Sequence, residues 1–301
     1  MSGSTDIKKA KPKEKHQRHM FFHSRKQSKM VADIISFTII VLLAAVVVFP
    51  VYWIFRSALM TSTDFFLKPP PFFPDKFLWG NFAVNTPNFQ FFRNLWNTLK
   101  IVVPCVVLGT LTGLPCAYAF ARLNFKGKDF IFALTVGSML LPTMVTLIPL
   151  YIAWTTLGFV NSYWPLILPY LCGGGAFNIF LLRQFMKTIP KELDESAKID
   201  GAGHFRILVS IIIPSIKPAI IVVALLIFIA TWNDLLSQMI YIHSPDKYTL
   251  VLGLTVFFGS FRNDYAGMFA ATCLAFVPGI LVYLFGQRYF VEGIVMTGLK
   301  N

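Results

Sequence analysis

Along its length the chain alternates between long apolar runs and short polar or proline-rich breaks. A bilayer core takes about 20 apolar residues per helix. Six runs approach or exceed that length: residues 31–55, 94–121, 130–154, 163–182, 207–230 and 265–287. The pattern predicts an all-α, polytopic membrane protein with six transmembrane helices. The first run, Val31 to Phe55, is too long for a signal-peptide core and has no small-residue cleavage pattern after it, so it is expected to be a retained span. Tyr248 to Phe258 is also apolar but too short to span. It is expected to be a short interfacial helix in an outer loop, Trp232 to Asp264, that also holds a His243-Ser244-Pro245-Asp246 turn. Between the first two spans, Pro69, Pro70, Pro71 and Pro74 are interleaved with Phe65, Phe66, Phe72, Phe73 and Trp79. So much proline excludes a spanning helix and predicts an outer segment, either an ordered cap or partner surface or an aromatic interface belt.

Charge supplies the orientation. The chain is 55% hydrophobic and 14% charged, too apolar for a soluble domain of 301 residues. Its net charge of +13 would fit a nucleic-acid partner, but nine of the 27 Lys and Arg residues fall between Lys8 and Lys29, just ahead of the first span. That placement fits a cytoplasmic membrane anchor and no nucleic acid. The turn with Arg122, Lys126 and Lys128 and the segment with Arg183, Lys187, Lys191, Lys198 and Arg206 are also basic, whereas Thr155 to Ser162 carries no charge. The basic segments are therefore placed inside, and six spans bring both termini to the cytoplasm. The expected organisation is a basic cytoplasmic tail at 1–30, a transmembrane domain at 31–290 with an inner connection at 183–206, and a cytoplasmic tail at 291–301.

Several chemistries are missing. There is no GxxxxGK phosphate loop, no HExxH and no GxSxG, which leaves catalysis and ATP binding in this chain unsupported. Cys105, Cys116, Cys172 and Cys273 form no CxxC pair and have no His at ligand spacing, so no metal site is expected and they read as small buried hydrophobes. Asp33, Lys100 and Lys217 lie near predicted helix ends, which argues against an autonomous ion-driven pump. Gly109 and Gly113 form a GxxxG, expected to serve packing within the chain ahead of a dimer face.

The inner connection is the most informative segment. Pro190 suits a first helical turn, Glu192, Asp194 and Glu195 favour the N-terminal half of a helix, Lys191/Glu195 and Asp194/Lys198 are spaced as i,i+4 pairs, and Gly201 can end the helix in a left-handed cap. A second helical segment from about His204 leads into span five through Pro214 and Pro218. The product is a helical elbow standing out of the membrane, a handle for something soluble to push; a charged loop kept helical by its own pairs is the alternative.

The run Glu195-Ser196-Ala197, then Asp200-Gly201-Ala202, then Ile211, Ile213-Pro214 and Pro218 resembles the EAA loop of permease subunits in binding-protein-dependent ABC importers. Ser196 stands where that pattern has Ala, and Ile213 where it has Leu. Asn97-Thr98, Ala117 to Arg122, Trp232-Asn233, Gln287 to Val291 and Gly298-Leu299-Lys300 are similar to the carbohydrate branch, in particular to the smaller, six-span partner of the maltose-type pair.

The resemblance implies a type I ABC importer permease fold in a bacterial inner membrane. It implies these partners: a second, unlike permease subunit, two ATPase subunits and an extracytoplasmic solute-binding protein. No cofactor is expected in this chain, ATP and Mg belonging to the partner ATPase. It further implies that Glu195, Ser196, Ala197, Asp200, Gly201 and Ala202 dock on that ATPase. In this scheme Glu195 offers an anion, Ala197 and Ala202 allow close approach and Asp200-Gly201 make the turn. Ile211, Pro214 and Pro218 shape the helix that follows. The cargo is expected to be a sugar or oligosaccharide, with the same architecture serving another solute, a stand-alone secondary carrier or a membrane scaffold as rivals. Substrate contacts are not assigned: Tyr118, Trp154 and Trp164 can stack on a sugar ring, and equally can pack or anchor at an interface.

Overall fold

A computed structural model of the chain describes residues 14–83, 89–258 and 264–298, with side chains described for 29–83, 89–257 and 264–288. No strand occurs among the described residues. The chain divides into two compact units, residues 1–56 and 57–301.

Nearly all that is described of the first unit is helix α1, Glu14–Ala58. It begins well before the expected span because residues 14–30 are rich in helix formers (Glu, Lys, Gln, Arg, Met) and contain neither Gly nor Pro. Asp33 therefore sits within a continuing helix, one turn beyond Lys29, where the apolar stretch Lys29–Ala58 starts. Side chains from Val31 to Val48 are exposed, as expected of a helix whose solvent is lipid.

The second unit is built around α2, Phe91–Arg122. After it come α3 (Lys128–Gly137), α4 (Thr143–Thr156), α5 (Trp164–Ile167), α6 (Ala176–Thr188), α7 (Glu192–Ile199), α8 (His204–Ile207), α9 (Ile213–Ser215), α10 (Lys217–Trp232), α11 (Leu236–Tyr241), α12 (Leu250–Leu254) and α13 (Tyr265–Gly298). Helices α6 and α10 pack on α2, and α13 packs on α10. Ile101, Ala117, Leu182, Met186, Ile212 and Val223 share one buried cluster, and Phe89, Val102, Trp232, Leu250 and Ala270 share another.

Among the described residues four helices are long and apolar enough to cross a bilayer, and up to six spans result if each of two bent pairs counts as one. The two bent pairs fall where the spans 130–154 and 207–230 were expected. The helix through residue 140 meets α4 at 100°. The cause is Pro142, which disfavours helical backbone at Leu141 and leaves it extended at φ −76°, ψ 119°. The helical stretch His204–Ser215, which includes a π-turn at Leu208–Ile212, meets α10 at 83°. Pro214 and Pro218 each remove a ladder donor and crowd the carbonyl four residues back, and the chain breaks between them at Ile216 (φ −108°, ψ 18°). The fourth span covers Trp164–Thr188 but is unwound in its middle, with a 3-10 stretch at Leu168–Cys172 followed by Gly173, Gly174 and Gly175 at φ +83°, +69° and +102°.

That glycine run explains the GxxxG of α2. A Cβ on Gly109 would stand 3.0 Å from the Cα of Gly174, and one on Gly113 would stand 3.0 Å from the carbonyl oxygen of Gly173. Thr112, between the two, accepts a hydrogen bond from the Gly173 N–H at 3.1 Å. The motif thus serves a crossing inside the chain, closer than any side chain would permit.

The run Tyr248 to Phe258 is short and helical, and it is packed into the protein: Leu250 and Leu252 are buried, and α12 packs on α2 and α13 with Gly253 against Phe89 and Asn94. Two expectations are corrected. Lys100 lies nine residues inside α2, not near its end, with Nζ 3.4 Å from Asn97 Oδ1 and 6.0 Å from the Trp96 ring. The last helix runs on through Gly298, past residue 291 where a tail was expected. The side chains of Tyr289, Phe290 and Val291, the pair Leu299-Lys300, the first 13 residues of the basic tail, and the 259–263 part of the outer loop lie outside the described residues.

Candidate functional site: an elbow, a brace and a groove

The elbow is α7 with the turn that follows. Its C-terminus is a two-bond glycine cap. Gly201 is left-handed at φ +81°, its N–H donates to Lys198 O at 3.0 Å, and the Ala202 N–H donates to Ala197 O at 2.9 Å. No neighbouring atom lies within 4 Å of where a Cβ on Gly201 would project, so the position is open outward.

The elbow is mounted on the end of α2 by Arg122. This guanidinium donates from Nη2 to Ile189 O at 2.7 Å, just before α7, and its Nε lies 3.3 Å from Asp194 Oδ2. The two side chains are only 4% and 8% exposed. Nε is within ion-pair distance but not aimed along the contact, so the pairing is one of charge and the hydrogen bond goes to the carbonyl. Asp194 therefore turns inward to Arg122, where i,i+4 spacing had paired it with Lys198. Two further basic residues cap the end of α2: Arg183 Nε donates to Phe120 O at 3.2 Å while its guanidinium lies 3.8 Å from the Phe132 ring centre, and Lys128 Nζ donates to Leu123 O at 2.7 Å. Cations on the last carbonyls of a helix also oppose its dipole. Tyr118, one turn before Arg122, is buried with its hydroxyl 3.4 Å from His204 Nδ1.

Of the residues assigned to docking, Glu195, Ser196, Asp200 and Gly201 are exposed. Ala197 and Ala202 are not presented in the same way: both are half-buried against the chain's own core, where their small size lets α7 lie close. The outward face instead carries apolar side chains that the spacing argument passed over: Ile199 is 87% exposed, Phe205 79%, and Leu193 46%. The signal for them was three large hydrophobes in an otherwise charged segment. Of the residues shaping the next helix, Ile211 packs on the core, Pro218 is half-buried and Pro214 is exposed beside the break.

At the other end of α2 the 243–250 segment is braced. Asn97 Nδ2 donates to Asp246 O and Tyr248 O at 2.8 and 3.1 Å, and Thr98 Oγ1 accepts from Leu250 N at 2.9 Å. Asn161 holds the same loop from the turn before α5: its Oδ1 accepts from the His243 and Ser244 N–H groups, and its Nδ2 donates to Ser244 Oγ at 2.7 Å. The Tyr163 hydroxyl donates to Lys247 O at 3.1 Å. Burial, and then the charge of Asp246, push this phenol up to about 12.

Between α4, α5 and α11 lies a groove of about 240 Å³. Trp154, Tyr170 and Tyr241 are on its walls, with Thr146, Ser237 and Asp234 on the polar side. Asp234 Oδ1 accepts from the Ser237 N–H at 3.0 Å. The Tyr241 phenol is raised by burial and then by the Asp234 charge, which places that carboxylate electrically in the same space. Trp154 is thus on a groove, whereas Trp164 is exposed and Tyr118 belongs to the elbow mount. Trp232 is buried and stacked on Phe228, and Asn233 caps its own helix by donating to Ile229 O. No group of His, Cys, Asp and Glu able to hold a metal occurs among the described residues.

Residues 109–295 match the family described as "Binding-protein-dependent transport system inner membrane component". The chain is 30% identical to the diacetylchitobiose uptake system permease protein NgcG of Streptomyces coelicolor, over 88% of this chain and 87% of that one. It is 35% identical to the maltodextrin transport system permease protein MdxG of Bacillus subtilis, over 68% and 74%. A chain in the crystal structure of a bacterial ABC transporter that imports the acidic polysaccharide alginate has the same fold, with a TM-score of 0.76 at 22% identity over 87% of this chain and 98% of that one. The family match runs from Gly109 within α2 into α13 and takes in the elbow and the groove, and on that ground the chain belongs to the binding-protein-dependent inner membrane permeases of ABC importers.

Proposed function

We infer that this chain is one of two unlike permease subunits forming the membrane pathway of an ATP-driven importer for a sugar or oligosaccharide. In this reading a separate ATPase, which holds the ATP and Mg, docks on the α7 elbow. The observation that carries it is the elbow itself: a capped helix, seated by a buried charge pair, that exposes Ile199, Phe205 and Leu193 beside Glu195 and Asp200. A solvated loop has no reason to expose large apolar side chains, whereas a docking surface does. The sugar assignment is supported by what the relatives import, maltodextrin and diacetylchitobiose.

Closure of an ATP-bound ATPase dimer would push on α7. The push would pass through Arg122 to α2 and through α8 and the bend at Ile216 to α10, shifting the populations of inward-open and outward-open states. With the elbow inside, the braced 243–249 loop is outside, at the end where a solute-binding protein arrives, and both termini are cytoplasmic.

The test is purification of the tagged chain in mild detergent, followed by ATPase assays in nanodiscs with candidate binding proteins. Recovery of a second permease and an ATPase whose hydrolysis a binding protein stimulates supports the reading. A clean monomer with no ATPase would return the chain to the carrier or scaffold reading.

A further inference from the structure

The groove offers chemistry that the elbow and the brace leave unused. At about 240 Å³ it is smaller than the roughly 300–1,000 Å³ of pockets that enclose a drug-sized ligand, so it suits one ring of a longer molecule. Its lining is divided. Trp154 and the tyrosines form an aromatic wall, and Asp234, Ser237 and Thr146 form a polar one. A pyranose is divided in the same way, with a C–H face that lies on an aromatic π-system and a rim of hydroxyl donors. Asp234 Oδ1 is taken by the Ser237 N–H, and its hydrogen bonds among the described residues include none to Oδ2. A carboxylate on a largely apolar groove calls for donors, and hydroxyl-to-carboxylate bonds are among the shorter and stronger ones. No Lys or Arg lines the groove to balance a second negative charge.

Resting on the importer reading, we propose that this groove is a subsite for one neutral sugar ring of the cargo, with Asp234 accepting ring hydroxyls and Trp154 supplying the stacking face. The same carboxylate acts as a selectivity element. A uronate ring brings a like charge against Asp234 with no cation to compensate, and is rejected.

The test uses the assembled complex of this chain with its partner permease and ATPase in nanodiscs. Equilibrium binding of maltotriose, of diacetylchitobiose and of their C6-oxidised uronate forms is measured without a binding protein, for the wild type, D234N and W154L. Asn keeps the acceptor that holds the Ser237 N–H, so D234N is expected to fold and to assemble normally. The expected result is wild-type binding of at least one neutral sugar, weakened tenfold or more in D234N and in W154L, with uronate binding gained only in D234N. Neutral binding and uronate rejection unchanged in D234N, or no neutral binding by the wild type, overturns the subsite. Because ATPase stimulation is read on the same samples, those outcomes with stimulation intact leave the importer reading standing, and its absence in the wild type removes both.

Discussion

The two ends of α2 are fastened in opposite ways. At Arg122 one buried charge pair and one carbonyl bond seat the elbow, and the outward face is left apolar and uncovered. At Asn97 and Thr98 side chains hold a loop through several separate bonds, helped by Asn161 and Tyr163 from a neighbouring turn and by the Arg93 and Lys247 cations, which donate to Pro245 O and Asn161 O. A single buried pair is all-or-none: losing one partner strands the other's charge. A web of many separate bonds loses strength in small steps, because a typical one contributes about 0.5–1.5 kcal/mol. The first arrangement suits a lever that moves as one piece, the second a platform that keeps its shape.

The contrast breaks most sharply at Asp194. D194A leaves Arg122 buried without its counter-charge, and the elbow is expected to lose about 3–5 kcal/mol of local stability. Hydrogen exchange across 192–202 would show this as faster exchange, and uptake should fall with it. The double change R122M/D194L should recover much of that protection. Equal exchange in D194A and wild type would mean that the pair does not seat the elbow.

Gly201→Val comes next. The left-handed backbone costs a β-branched residue about 1–2 kcal/mol, and nothing within the chain obstructs the new side chain. Insertion and assembly with the partner permease should survive while uptake falls at least tenfold, because the obstruction would be met on the ATPase. Normal uptake would count against docking at this turn.

At the braced end the effects are smaller. N161A removes three bonds at a partly exposed site and is expected to cost about 1–2 kcal/mol, seen as faster exchange of the His243 and Ser244 amides with basal ATPase activity unchanged. The smallest effect is that of pH on Tyr163. Its pKa is raised from about 10 to about 12 in the folded chain, so the neutral phenol's contribution is complete below pH 10 and is lost only as pH climbs toward 12. Amide exchange around Lys247, corrected for its intrinsic pH dependence, should therefore be flat from about pH 8 to 9, above the usual histidine range and below that of the phenol. A change within that window would place another titrating group in the brace.

Sequence periodicity located the apolar helices because hydrophobic run length is a local property. It could not show that two of them bend. Leu141-Pro142 and Pro214 with Pro218 were visible, but proline is tolerated inside membrane helices, and Pro104 and Pro115 lie within an unbroken α2. The elbow was readable for a related reason: Pro190, Gly201 and the acidic first turn are local signals. Asp194 was read toward Lys198 because i,i+4 spacing is local, while Arg122 is brought to it by the packing of α2 on α6. The groove had no sequence signature, since Trp154, Tyr170 and Asp234 come from three separate elements.

The break after α3 has one more consequence. Leu140 and Leu141 are 85% and 59% exposed, at a point where the helical ladder is interrupted. Hydrocarbon offers nothing to a bare carbonyl or amide, so irregular backbone at membrane depth survives only against protein or water. Where such a break lies at membrane depth, the flank that carries Leu140 to Pro142 is turned away from the lipid annulus, and the kink then works as a compass needle toward the rest of the transporter or the water it encloses.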